Sequence, residues 1–165
     1  MWGGCWCTWF HPHLPKNERG AAHYRAYKER QVREGRAHAA LVFDGDVAVA
    51  WCQYGSPDTL RNIYHKKEYG AGLTQLPDDR ITCFFVDRDY RQDGVAAVAL
   101  HGALDLIAQA GGGVVEAHPQ DTPGKRTSAS FLYSATRSLF ERASFTYERP
   151  KGTKNCVMRK VVSPG

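Results

Sequence analysis

The chain has 165 residues, 42% of them hydrophobic and 24% charged, with a formal net charge of +5 and a pI near 9.0. A chain of this size can bury a core without disulfides or metal, so one domain over 1–165 is expected, and no apolar stretch nears the roughly 18 residues that cross a bilayer. The cysteines at 5, 7, 52, 83 and 156 are an odd, uneven set, unlike that of a disulfide-built secreted domain. The N-terminal MWGGCWCTWFHPH lacks the basic and apolar regions of a signal peptide, so reduced thiols and a cytoplasmic location are expected. The positive charge suits an anionic partner. Its residues are scattered, however, without zinc-finger spacing or a glycine-aromatic RNA-binding signature, which makes nucleic acid the weaker option.

In chain order, NERGAAHYRAYKERQVREG (17–35) predicts a helix with Asn17 as N-cap and Gly35 as its stop. AHAALVF (37–43) and VAVAWCQY (47–54) flank Asp44-Gly45-Asp46, the pattern of an antiparallel hairpin. From Gly55 to Arg80 the chain is polar and irregular, a long surface excursion of the sort that often carries function. ITCFFV (81–86) is an unbroken apolar run, expected at the centre of the sheet. After Gly94, Leu100, Leu104 and Ile107 mark the apolar face of a helix. Gly111-Gly112-Gly113 ends it, and VVEAH (114–118) follows as a strand parallel to 81–86, completing a β-α-β unit. Beyond the polar loop PQDTPGKRTS (119–128), SATRSLFERA (134–143) reads as a short helix, and FTYE and NCVMRKVV as two closing strands across a Pro-Lys-Gly turn.

The loop Arg91-Gln92-Asp93-Gly94-Val95-Ala96 joins a buried strand to a helix start, where unpaired N–H groups and the helix dipole favour phosphate. Gly94 permits close approach and Arg91 adds a cation. The plainer reading is a glycine that only starts a helix. Neither G-x-x-x-x-G-K-[ST] nor G-x-G-x-x-G is present, so a P-loop and a dinucleotide fold lack support. What remains, R-x-x-G-x-A after a buried strand, resembles the acetyl-CoA motif Q/R-x-x-G-x-G/A of the GNAT superfamily of N-acetyltransferases. SLFERASF (138–145) is similar to the family's second cofactor segment, a short helix ending in Gly-Phe before a strand. With the strand order, the resemblance covers about 37–162. Residues 1–36 depart from the family, whose usual leading strand and helix are replaced by a segment opening on Cys5-Trp6-Cys7. Where the family often carries a tyrosine acid, this chain has Phe140.

The resemblance implies an α/β fold with a mixed central sheet whose two parallel strands splay apart, with acetyl-CoA as cosubstrate and no metal. The wedge is expected between 83–86 and 114–118, with an N–H near Phe85 or Val86 polarising the thioester carbonyl. Arg91 to Ala96 are the expected cofactor contacts, joined by Arg137 at the head of the second segment. Glu116 and His118 sit two apart on one strand. They are the base candidates, Glu116 first, with His118 also counted as acceptor-binding; the alternative is that Glu116 answers an arginine and His118 caps the strand. Tyr133 and Tyr147 flank the second segment; Tyr133 is the acid candidate, and either can equally be a core aromatic. Cys52 and Cys83 leave a covalent route conceivable, but no Cys-His arrangement is legible.

In GGCWCTWFHPH, Cys5, Cys7, His11 and His13 are zinc-ligand types crowded within nine residues, unlike common zinc sites. An extended strand covering the sheet is the leading reading. A third has Trp6, Trp9 and Phe10 walling the acceptor pocket. The expected activity is N-acetyl transfer to an amine, small molecule or peptide, by direct attack. Its rivals are a CoA-binding module without turnover, motivated by Phe140 and the short N-terminus, and a basic nucleic-acid-binding domain. A second copy of the chain is a candidate partner for the aromatic N-terminus.

Overall fold

The computed structural model describes residues 4–121 and 129–165, so most of the polar loop 119–128 lies outside the described residues. Six strands form one sheet in the order β1-β2-β3-β4-β6-β5. β1 (His38–Asp44) and β2 (Val47–Gly55) are the expected hairpin. β3 (Asp79–Val86) pairs antiparallel with β2 on one side and parallel with β4 (Gly113–Ala117) on the other. β5 (Thr146–Lys151) and β6 (Asn155–Val162) close the sheet, with β6 beside β4.

The helix between β3 and β4, α3 (Val95–Gln109), buries Ala99, Leu100, Ala103, Leu104 and Ile107, the face read from the sequence. These side chains meet Ile81, Phe84, Val115 and Ala117 of the central strands, each large aliphatic contributing about 1.5–3 kcal/mol. α4 (Arg137–Arg142) adds Leu139 and Phe140 to the same core. Phe140 is 1% exposed and sits edge-on between Phe84 and Phe145, with ring centroids 6.0 and 5.0 Å away. Where the GNAT helix ends in glycine, Ser144 adopts φ 63° and brings the Phe145 N–H back to the Phe140 carbonyl at 3.0 Å.

Several local expectations are corrected. α1 runs Ala21–Arg33 with Gly20 as N-cap, not from Asn17, because the chain at Lys16–Glu18 makes a separate 3-10 turn. The excursion 55–80 is anchored rather than loose: it holds α2 (Lys66–Ala71) and buries Leu60, Ile63 and Tyr69. The last hairpin turns at 152–154, with Pro150 and Lys151 inside β5; β5 is an edge strand, where a missing N–H is tolerated. The N-terminal segment is a run of turns and no strand. Trp6 and Cys7 both have φ 50°, which breaks an extended backbone, and the Thr8 and His11 amides bond to the carbonyls three residues back at 3.1 Å.

Candidate active site at the splayed strands

β3 and β4 pair only at Asp79, Arg80 and Ile81 opposite Val115, Glu116 and Ala117. β3 then continues to Val86 while the segment after β4 turns toward Asn155 and Thr136 through Gln120. The wedge therefore opens between 82–86 and 118–120, beyond the span expected from sequence, because 114–117 is used in pairing. A register shift opposite Gln53 and Tyr54 inserts Thr82 as an extra residue in β3, a bulge that bends the strand away. The Asp87 N–H donates to the Val49 carbonyl at 2.8 Å. Alternation along an antiparallel ladder then turns the backbone groups of Phe85 toward β2 and those of Phe84 and Val86 into the wedge. Of the expected pair, Phe85 instead stacks its ring on Trp51 at 4.8 Å.

β3 runs into the loop that heads α3. Gly94 is its N-cap at φ 79°, where a Cβ would meet nothing within 4 Å. Gln92 also adopts a left-handed φ of 75°. Such alternation gathers successive N–H groups into an anion-binding concavity. Among the described residues, no protein acceptor takes the amides of Gln92, Asp93, Gly94, Val95 or Ala96. Arg91 donates from Nε to the Val86 carbonyl at 3.2 Å, tying the loop to the end of β3. Arg137 is committed elsewhere: it bonds Glu141 at 2.7 Å and Asp121 at 3.3 Å, with its guanidinium 4.4 Å from the Tyr147 ring centroid.

At the apex of the wedge lies a cavity of about 20 Å³, walled by Phe10, Tyr64, Thr82, His118, Tyr133 and Lys151, among others, room for about one water. His118 and Tyr133 are thus brought together. The His118 Nε2 lies 2.9 Å from Glu116 Oε1. Glu116 is fully buried; Arg159 donates to its Oε2 at 3.0 and 2.8 Å, and the Arg80 Nε stands 3.8 Å from Oε1. Burial alone would raise the Glu116 pKa, but His118, the Tyr69 hydroxyl and Arg159 outweigh it and hold the pKa at about 2. Burial brings His118 down to about 4 despite Glu116, so its imidazole is neutral at pH 7. Burial and neighbouring Tyr64 push the Tyr133 hydroxyl up.

Three cavity residues carry no sequence signal. The hydroxyls of Thr82 and Ser134 are buried without a hydrogen-bond partner among the described residues, and both line the cavity. Thr82 was hidden within an apolar run and Ser134 at a helix start. Lys151, read as a turn residue, is 2% exposed, and burial lowers its pKa to about 8. Of the N-terminal aromatics, Phe10 reaches the cavity. Trp9 stands behind it, stacked on Tyr64 at 3.9 Å, and Trp6 is 44% exposed under Arg25. Cys52 is fully buried in the core. Among the described residues no three metal-ligand side chains converge, and no helix is long and apolar enough to cross a membrane.

No family model matches the chain, and no curated protein matches it by sequence. Solved structures do match. A chain from Desulfovibrio desulfuricans described as an acetyltransferase of the GNAT family is 16% identical, with 91% of this chain and 84% of that one covered at a TM-score of 0.56. An N-acetyltransferase from Staphylococcus aureus is 12% identical, with 88% and 79% covered and a TM-score of 0.54. An acetyltransferase from Thermus thermophilus is 14% identical, with 93% and 80% covered and a TM-score of 0.50. The parted parallel pair, the β-α-β unit and the strand order belong to one known architecture, and this chain has the fold of the GNAT acetyltransferases.

Proposed function

We propose that the protein is an N-acetyltransferase that moves an acetyl group from acetyl-CoA to an amine, small molecule or peptide, by direct attack. The observation that carries this reading is the parting of β3 and β4 after Ile81 and Ala117, next to a helix start whose amides from Gln92 to Ala96 have no protein acceptor among the described residues. A diphosphate fits such a concavity, and the open space at Gly94 admits its oxygens. The outward backbone groups of Phe84 and the N–H of Val86, whose carbonyl is taken by Arg91, can bind an extended amide chain as a neighbouring strand would.

Acetyl-CoA would supply the activated acyl group as a thioester. In the wedge, an N–H of Phe84 or Val86 is placed to donate to a carbonyl oxygen that gains negative charge. His118 takes the proton of the attacking amine, directly or through a water held by the Thr82 and Ser134 hydroxyls. The base role read first for Glu116 passes to His118 here, since both Glu116 oxygens are taken by His118 and Arg159 and it is His118 that lines the cavity. With Nε2 donating to Glu116, the imidazole keeps its lone pair on Nδ1. Glu116 is then a positioning residue. Tyr133, protonated throughout the physiological range, donates to the departing thiolate in place of an acid at Phe140, and protonated Lys151 stabilises negative charge beside it.

The charge does not favour a nucleic-acid reading. Arg80 and Lys151 are buried, and Arg33, Arg36, Arg88 and Arg137 pair with carboxylates. One observation favours a CoA-binding module without turnover: the apex cavity of about 20 Å³ holds a water but not an acetyl group with an amine. Free-thiol release from acetyl-CoA against an amine panel decides between the two. Release that depends on the amine supports the transferase; tight CoA binding with no release for any amine supports the module, and absence of binding overturns both.

A further inference from the structure

The reaction outlined above uses neither of two thiols that meet beside the wedge. The Sγ atoms of Cys7, in the N-terminal turns, and Cys83, on the stretch of β3 that still pairs with β2 but has parted from β4, lie 3.1 Å apart although 76 residues separate them in sequence. Both are buried, with Phe10 and Leu60 around them, and neither is in a disulfide. The left-handed Trp6 and Cys7 turn the thiol toward the sheet. Beside them, Lys28 from α1 points its ammonium inward, donating to Gln53 Oε1 at 3.0 Å and standing 3.2 Å from His11 Nε2. Among the described residues no carboxylate pairs with it; burial lowers its pKa, and Cys7, Cys83 and Cys5 work against that by favouring the charged form.

An inward-facing cation among neutral groups calls for an anion, and a thiolate at Cys7 supplies one. The bond between the two sulfurs, in which either can donate, lowers the Cys7 pKa together with Lys28 against the effect of burial, while the same bond and burial raise the Cys83 pKa. The pair is therefore asymmetric: Cys7 is the better placed of the two to lose its proton, and Cys83 lies at contact distance, 3.1 Å away. Plain packing of two small side chains would need neither the ammonium nor the strained backbone.

We propose that Cys7 and Cys83 form a peroxide-responsive dithiol pair whose disulfide fastens the N-terminal segment to the stretch of β3 that has parted from β4. The Cys7 thiolate attacks one oxygen of hydrogen peroxide, forming an S–O bond as the O–O bond breaks; the departing hydroxide takes a proton and leaves as water. The Cys83 sulfur then attacks the Cys7 sulfenic acid, forming the S–S bond and releasing hydroxide, which leaves as a second water with the Cys83 proton. Two thiols are oxidised by two electrons and one peroxide is reduced to two waters. The sulfurs need to close by only about 1 Å to reach bonding distance. Phe10, three residues from Cys7, lines the wedge cavity, so the cross-link fixes one wall of the proposed site in its present place. This inference does not depend on acetyl transfer.

The test is peroxide treatment of the full reduced chain, read by intact mass, thiol titration and peptide mapping. The expected result is loss of two hydrogens, a fall from the five thiols of the chain to three, a Cys7–Cys83 cross-linked peptide, and a thiol-reversible rise of the melting midpoint by about 5–10 °C. Cys83→Ser should instead leave a Cys7 sulfenic acid that dimedone traps, and Lys28→Met should slow wild-type-like oxidation roughly tenfold. A cross-link through Cys5, a cross-link between two chains, or five thiols persisting at peroxide levels that oxidise free cysteine would overturn the proposal.

Discussion

Glu116→Gln removes the charge on which three cationic or protonatable side chains converge, at almost constant shape. The carboxylate is fully buried and is met by Arg159, Arg80 and His118. Its pKa falls from the ordinary 4.5 to about 2 in the fold, and at 1.36 kcal/mol per unit this corresponds to about 3 kcal/mol of stability. The penalty for leaving buried guanidiniums unpaired is of similar size, about 3–5 kcal/mol. Because the folded pKa is depressed, this stability is fully present above the unfolded value and is lost as pH falls through the folded one. The variant should therefore trail the wild type by about 3 kcal/mol at pH 7, about half that at pH 3, and hardly at all near pH 2, where the wild-type carboxyl is itself protonated. Urea unfolding at pH 7, 4 and 3 measures the gap. A difference under 1 kcal/mol at pH 7, or one that does not shrink with acid, would refute the reasoning.

Lys151→Met should raise stability at pH 7 by about 2–3 kcal/mol, since a lysine whose folded pKa is lowered to about 8 burdens the fold whenever it is charged. The gain should fade as pH rises from 8 toward 10.5, and a pH-independent melting difference would contradict it. Gly94→Ala places a side chain at φ 79°, costing roughly 1–2 kcal/mol of stability; coenzyme A affinity by calorimetry should fall at least tenfold, beyond what that strain explains. His118→Gln should reduce amine-dependent turnover about 10²- to 10⁴-fold while leaving coenzyme A binding within about twofold. Thr82→Val should leave stability unchanged or raise it by about 1 kcal/mol, because its hydroxyl is buried without a partner among the described residues, and still slow turnover.

What the sequence disclosed followed from periodicity and turn chemistry. Leu100, Leu104 and Ile107 defined the buried face of α3, and Asp44-Gly45-Asp46 set the first hairpin. The run of short motifs from Arg91 to Ala96 located the helix start correctly. The wedge was misplaced by a few residues because pairing register is a tertiary property: nothing in ITCFFV distinguishes Ile81, which pairs with Ala117, from Thr82, which bulges. Alternation misled at the N-terminus, where Trp6 and Cys7 take left-handed backbone angles that residue type disfavours and only packing can impose. The meeting of Cys7 with Cys83, and of Lys151 with His118 at one cavity, joins residues far apart in the chain and has no one-dimensional trace.

The central claim is that the amides heading α3 and the free backbone of β3 receive one ligand between them. It is tested most directly by following backbone amide resonances of the full chain as coenzyme A is added. The account predicts the largest shifts at Gln92 to Ala96, together with Phe84 and Val86, and saturation at one ligand per chain. Shifts confined to other surfaces, or none at millimolar ligand, would contradict it.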